Sequence, residues 1–90
     1  MRNFEVLAQT VLENMFKGYG LKFDCNCEEV FQNSARFYYD DSLEREWQVA
    51  FEIVEDEDEE EKIEWCLYAR CGEDWNTSCS GEMDLDGNFL

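Results

Sequence analysis

The sequence contains no histidine and no proline. Without histidine, Ser-His and Cys-His catalysis are excluded, and so is every histidine-containing zinc set. Positive charge is scarce: seven Lys and Arg stand against 23 Asp and Glu, a formal charge of −16. Such a chain repels phosphate, which argues against direct nucleic-acid binding, and it repels anionic membrane surfaces for the same reason. No apolar run approaches the roughly 18 residues that mark a membrane span. The start, Met1-Arg2-Asn3-Phe4-Glu5, lacks the basic region and apolar stretch of a signal peptide, so a cytoplasmic protein is expected. The cysteines, Cys25, Cys27, Cys66, Cys71 and Cys79, are odd in number. Without a leader this points to free thiols, an exported disulfide-stapled domain being the alternative.

What is present is enough for one domain, residues 1–90, with a modest core. Phe, Leu, Val and Ile make up 21 of 90 residues, just above the roughly 20% below which a highly charged chain stays disordered. Fourteen aromatics strengthen the case for packing, because each can bury about 150–250 Å². The acids are unevenly placed. Residues 1–23 hold Glu5 and Glu13 against Arg2, Lys17 and Lys22; residues 24–90 hold the other 21 acids against Arg36, Arg45, Lys62 and Arg70. The excess belongs to the second part of the chain, which hints at a dedicated surface.

Residues 2–17 read as an amphipathic helix. Phe4, Leu7, Ala8, Val11, Leu12, Met15 and Phe16 form one apolar stripe. Asn3 suits the N-cap, Glu5 the first turn and Lys17 the last, and Gly18 and Gly20 supply a stop. From residue 21 the period becomes two. Leu21 and Phe23 suggest a short strand or an extended lead-in, and Cys27–Phe31 is ambiguous between helical turn and strand. Ala35, Phe37 and Tyr39 alternate toward Asp40-Asp41. Trp47, Val49, Phe51 and Ile53 form one strong strand, and Ile63, Trp65, Leu67 and Ala69 another. An antiparallel hairpin follows, with Trp47, Phe51, Ile53, Ile63, Trp65 and Leu67 inside. Its tip is an uninterrupted acidic run, Glu55-Asp56-Glu57-Asp58-Glu59-Glu60-Glu61. A last hairpin is expected at Asp86-Gly87. The fold class is therefore α+β, one N-terminal amphipathic helix on a three- to five-stranded, mostly antiparallel sheet, with no internal repeat.

No motif for chemistry stands out. Cys25-x-Cys27 and Cys66-x4-Cys71-x7-Cys79 do not match paired zinc spacing, though four cysteines gathered in space would suit zinc. Asp84-Leu85-Asp86-Gly87-Asn88 fails as a calcium loop, because its glycine comes early and the twelfth-position acid is missing. No cofactor fingerprint, nucleophile elbow or phosphate loop is present. The expectation is a protein that is not an enzyme and carries no cofactor or metal.

The remaining constellation is the acidic surface. Glu46 and Glu52 lie opposite the Trp47/Phe51 face, and Glu64 faces with Tyr68. Along a strand such positions recur at roughly 6.6–6.8 Å. Continued through Glu55–Glu61, entered by Asp40, Asp41 and Glu44, and followed by Glu73-Asp74, they form a ribbon of negative charge. Tyr38, Tyr68 and Trp75 add aromatic anchors of the type enriched in binding hot spots. The expected contacts are Asp40, Asp41, Glu44, Glu46, Glu52, residues 55–61, Glu64 and Tyr68. Repulsion between copies disfavours a homodimer unless the helix side meets, so monomer and homodimer both stay open.

In size, acidity, lack of a leader and helix-plus-hairpin plan, the chain resembles the small acidic inhibitors encoded by phages and mobile elements. Anti-CRISPR proteins, anti-restriction proteins and uracil-DNA glycosylase inhibitors are of this kind. The resemblance implies nucleic-acid mimicry: occupation of the basic cleft in which a CRISPR effector, restriction enzyme or nuclease receives its guide or target. Immunity proteins of nuclease toxins look similar and are the alternative. Acidic chaperones of basic proteins and zinc-stabilised adaptors follow.

Overall fold

A computed structural model describes residues 3–90. The elements run α1 (Phe4–Met15), β1 (Phe23–Val30), β2 (Ser34–Asp41), β3 (Glu46–Glu55), β4 (Glu61–Cys71) and β5 (Asp74–Met83). The strands form one antiparallel sheet in the order β1-β2-β3-β4-β5. With one helix packed on it, this is an α+β fold.

The helix starts as its residues require. The Asn3 side chain accepts hydrogen bonds from the Glu5 and Val6 amides at 3.1 and 3.3 Å, and Glu5 sits in the positive first turn. The expected start at residue 2 lies outside the described residues. The end comes sooner than the apolar stripe suggests. The helix stops at Met15, so Lys17 is not in its last turn. The chain reverses here through Gly18 and Gly20, at φ +87° and +69°, a region open to glycine without steric cost. Phe16 leaves the helix to pack on Phe23 and Trp47, with ring centroids 5.2 and 4.8 Å apart.

The ambiguous stretch at Cys27–Phe31 belongs to β1 except for Phe31. A bulge between Cys25 and Cys27 broke the alternation. Cys25 pairs with Tyr39 on the helix side, and Cys27 pairs with Tyr38 on the other.

The core lies between α1 and the helix-facing side of β2–β5. Phe37, Val49, Ile63, Leu67 and Met83 are almost wholly buried there with Ala8 and Val11, and Phe4 stacks on Phe51 at 5.7 Å. Ile53, expected inside the hairpin, is half-buried at the core's edge. The final turn passes beside the helix. Phe89 makes a single bridge to Met83 rather than a full hairpin ladder, and its ring meets Trp65 at 5.7 Å. On β5, Gly81 lies against the Trp65 indole, so an added Cβ would sit 2.9 Å from that ring.

One five-residue turn occurs three times: Asp41–Arg45, Asp56–Glu60 and Asp84–Asn88. In each, the aspartate carboxylate accepts hydrogen bonds from the amides two and four residues on, at 2.8–3.1 Å. The backbone amide of the aspartate donates to the fifth residue's carbonyl, and the fourth residue's amide donates back to the aspartate carbonyl. That fourth residue adopts positive φ: Glu44 at 62°, Glu59 at 61° and Gly87 at 90°. Side-chain acceptors on an Asx turn explain why aspartate opens each one. Only the third carries the glycine that its backbone favours.

Candidate acidic interaction surface

The strand pairings decide which carboxylates stand together. On the sheet face away from α1, the register brings up Asp24 and Glu29 (β1), Asp40 (β2), Glu46 and Glu52 (β3), Glu64 (β4) and Glu82 (β5). Arg36, Lys62 and Arg70 stand among them. The face is acidic but not purely so, which corrects the picture of an unbroken negative ribbon.

Its two ends differ. At one, Glu52 lies directly opposite Glu64, which lies directly opposite Glu82. Cross-strand neighbours have Cβ atoms about 4.5–5.5 Å apart, and like charges so placed are destabilising. Lys62 pairs with Glu82, and this bond holds the lysine proton more tightly than usual. Neither Glu52 nor Glu64 has a hydrogen bond or ion pair to a described residue. These acids border an open basin of about 670 Å³, lined also by Arg36, Ala50, Cys66 and Tyr68. The neighbouring Cys66 thiol, with burial second, raises the Tyr68 hydroxyl pKa above its ordinary value.

At the other end aromatics roof the sheet. Tyr38 on β2 and Trp75 on β5 meet at 5.9 Å, although β3 and β4 lie between their strands. Arg70 stacks over Trp75 at 5.4 Å and approaches Glu46 to 3.6 Å. The Tyr38 hydroxyl donates to Glu29 at 3.1 Å. Burial first, then this bond, raises its pKa. Gln48, between Tyr38 and Tyr68 in the register, is buried.

The expected contact residues separate into four groups, the last being the acidic run at the hairpin tip. Glu46, Glu52, Glu64 and Tyr68 share the open face, and Asp40 lies on it while accepting a 2.7 Å bond from Asn26. Glu44 is exposed at the β2–β3 turn. Asp41 is the exception. It is 6% exposed, and its carboxylate accepts from the Leu43 and Arg45 amides, the Arg45 guanidinium and the Trp47 indole at 2.7–2.9 Å. Burial alone would raise its pKa. The indole and Arg45 bonds outweigh burial and hold it at about 2. Asp41 is thus an anchor inside the fold and not a contact. Its side chain points to the helix face, one residue out of phase with Asp40.

The acidic run is more ordered than a solvated loop. Glu55 and Glu61 close the β3–β4 ladder opposite one another, and residues 56–60 form the Asx-anchored turn. The Asp56 carboxylate is spent on that turn. Glu57, Asp58, Glu59 and Glu60 are exposed around it.

Sequence reasoning missed Glu82. The signal was present: Cys79, Gly81 and Met83 face the helix while Ser80 and Glu82 alternate with them. A bulge at Leu67/Tyr68 and small polar residues masked the fifth strand.

All five cysteines are free thiols, three of them exposed. No group of three or more Cys, Asp or Glu among the described residues is arranged to hold a metal ion. No described helix is long and apolar enough to cross a membrane. No protein-family model, curated protein or solved structure matches the chain.

Proposed function

We propose that this protein is a stoichiometric acidic inhibitor acting in the cytoplasm. It binds the basic nucleic-acid-binding cleft of an effector, such as a CRISPR effector, a restriction enzyme or a nuclease, and blocks guide or target binding. The observation that carries this reading is the Glu52–Glu64–Glu82 row, in which Glu82 alone pairs with a cation, continued along the hairpin to the exposed acids of residues 57–60. Placing like charges opposite one another costs stability, and a basic partner recovers that cost on binding. A spaced array of carboxylates meets the lysines and arginines that otherwise meet phosphates, and it displaces the same counterions.

Association is then electrostatically steered and weakens steeply with salt. The test is capture on the immobilised protein from a bacterial lysate, followed by elution with DNA or RNA. Enrichment of nucleic-acid enzymes released by competing nucleic acid supports the reading. Retention of partners that nucleic acid does not displace contradicts it. The Tyr38–Trp75 roof beside Glu46 favours a second reading, an immunity protein against a nuclease toxin, because acid-plus-aromatic patches suit such clefts. That reading predicts a single toxin partner rather than a host effector.

A further inference from the structure

Exposed apolar side chains gather at one end of the molecule. Tyr19 and Leu43 lie near the end where the helix finishes and β2 turns into β3. The other large ones among the described residues, Val6, Val30, Phe31, Leu85, Phe89 and Leu90, lie at the opposite end, where α1 starts and the β3–β4 hairpin turns. Apolar side chains scattered singly over a surface need no explanation, but a concentration of them marks an interaction site.

These six surround a finger. β2 pairs with β3 only as far as Glu52, and the Ile53 amide donates to the Asn33 carbonyl of the β1–β2 turn at 2.8 Å. On the other side, β5 pairs with β4 only as far as Ile63. Residues 54–62 therefore pair with each other and have no strand beside them. Glu57, Asp58, Glu59 and Glu60 are exposed on this projection. Within residues 52–64 the one cation is Lys62, and it bonds to Glu82. Val30 and Phe31 flank the finger's base at the β1–β2 turn. Leu85, Phe89 and Leu90 flank it beyond β5, held by the Met83–Phe89 bridge and by a 3.0 Å bond from the Leu90 amide to the Glu82 carbonyl. The apolar collar belongs to the helix side: Val30 stands opposite the buried Ala35, Phe89 packs on Trp65, and Val6 is in the first turn of α1. The Glu52–Glu64–Glu82 row faces the other way. The finger thus rises between an acidic face and an apolar collar.

We propose that the protein engages its partner end-on: the finger enters a basic cleft, and the collar rests on an apolar lip of that cleft. Glu57, Asp58, Glu59 and Glu60 meet the lysines and arginines inside. The proposal rests on the partner being a basic protein, and it adds what selects one such protein from the rest. Charge suits every cleft that receives nucleic acid and mainly speeds encounter. Apolar contacts outside the charged cleft slow dissociation and favour the partner that has the matching lip. Charge also decides against two other occupants of the collar. A second copy seated there by twofold symmetry offers the same patch, and so brings its own acidic finger beside this one. An anionic lipid surface repels the finger.

The test is a titration of the ¹⁵N-labelled protein, at low salt, with two synthetic amphipathic helical peptides of equal length and charge. One carries Lys on one face and Leu on the other; the second has Gln in place of Leu. The Lys/Leu peptide should bind about tenfold more tightly. It should shift the amides of Val6, Val30, Phe31, Leu85 and Phe89 together with those of residues 57–60, whereas the Lys/Gln peptide should shift the finger without the collar. Phe31→Ser and Leu90→Ser change side chains that are 59% and 76% exposed. Each should leave Tm and Lys/Gln affinity unchanged and weaken Lys/Leu binding about fivefold. If the two peptides bind equally, if the Lys/Leu shifts fall only on the open sheet face, or if both variants bind Lys/Leu as the parent does, the collar proposal is overturned and the basic-partner reading stands. If neither peptide binds, both fail. Sedimentation of the free protein should give a monomer; a dimer that Phe31→Ser or Leu90→Ser dissociates makes a second copy the occupant and overturns the proposal.

Discussion

Glu64 occupies the middle of a cross-strand row, and its replacement by glutamine isolates what that position does. Glu52 and Glu82 flank it on adjacent strands. With Cβ atoms about 5 Å apart and carboxylates about 6 Å apart, each repulsion is about 0.7 kcal/mol in a water-like dielectric. Glu64→Gln removes two such repulsions and one weaker attraction to Lys62, which bonds to Glu82. The net expectation is a gain of about 0.5–1 kcal/mol, which for a chain of this size raises Tm by about 3–6 °C. Scanning calorimetry or circular dichroism at low salt reads it directly. The gain should disappear in 1 M NaCl, where the Debye length is about 3 Å. The same variant should bind the basic partner less well. A lower Tm, or a gain that survives high salt, would refute the claim that the row is held against its own repulsion.

Four other outcomes are expected. Asp41→Ala leaves the buried Trp47 indole and the Arg45 side chain without their acceptor and should destabilise by about 2–4 kcal/mol in urea melts, while leaving partner affinity per folded molecule unchanged. The Asp41 carboxyl, lowered to about 2, contributes stability that is whole above about pH 4 and is lost as pH falls toward 2; its share is at most about 2 kcal/mol, reduced by the exposure of Arg45, and acid titration of Asp41→Asn should lack that step. Glu59→Gly and Glu44→Gly each relieve a left-handed backbone at a non-glycine residue and should stabilise by about 1 kcal/mol, whereas Gly87→Ala should destabilise, since its Cβ would lie 2.5 Å from Leu7. Replacing Glu57, Asp58, Glu59 and Glu60 by Ser or Gly while keeping Asp56 should preserve the fold and slow association in stopped-flow, whereas replacing Asp56 as well should also loosen the turn.

The regular parts of this fold were legible because their physics is local. The Phe4–Phe16 stripe and the 47–53 and 63–69 alternations announce a helix and a hairpin, and the face shared by Glu46, Glu52 and Glu64 follows from period two alone. What was not legible depends on bulges and on long-range pairing. The bulge at Cys25/Cys27 hid β1, and another at Leu67/Tyr68, against a polar β5, hid the position of Glu82. Asp41 reads as one more surface acid until the Trp47 indole and the Arg45 guanidinium close over it. The three Asx-anchored turns share no sequence beyond their first aspartate, so only their backbone geometry reveals them. The Tyr38–Trp75 contact joins strands that are not neighbours, and no local pattern announces it.

The central claim is that this surface takes the place of nucleic acid. Its most direct test is fluorescence anisotropy of labelled nucleic acid bound to the captured partner, titrated with this protein at several salt concentrations. The account predicts release of the nucleic acid at one protein per partner, with an apparent affinity that falls steeply as salt rises. Formation of a ternary complex with the nucleic acid still bound, or release indifferent to salt, would contradict it.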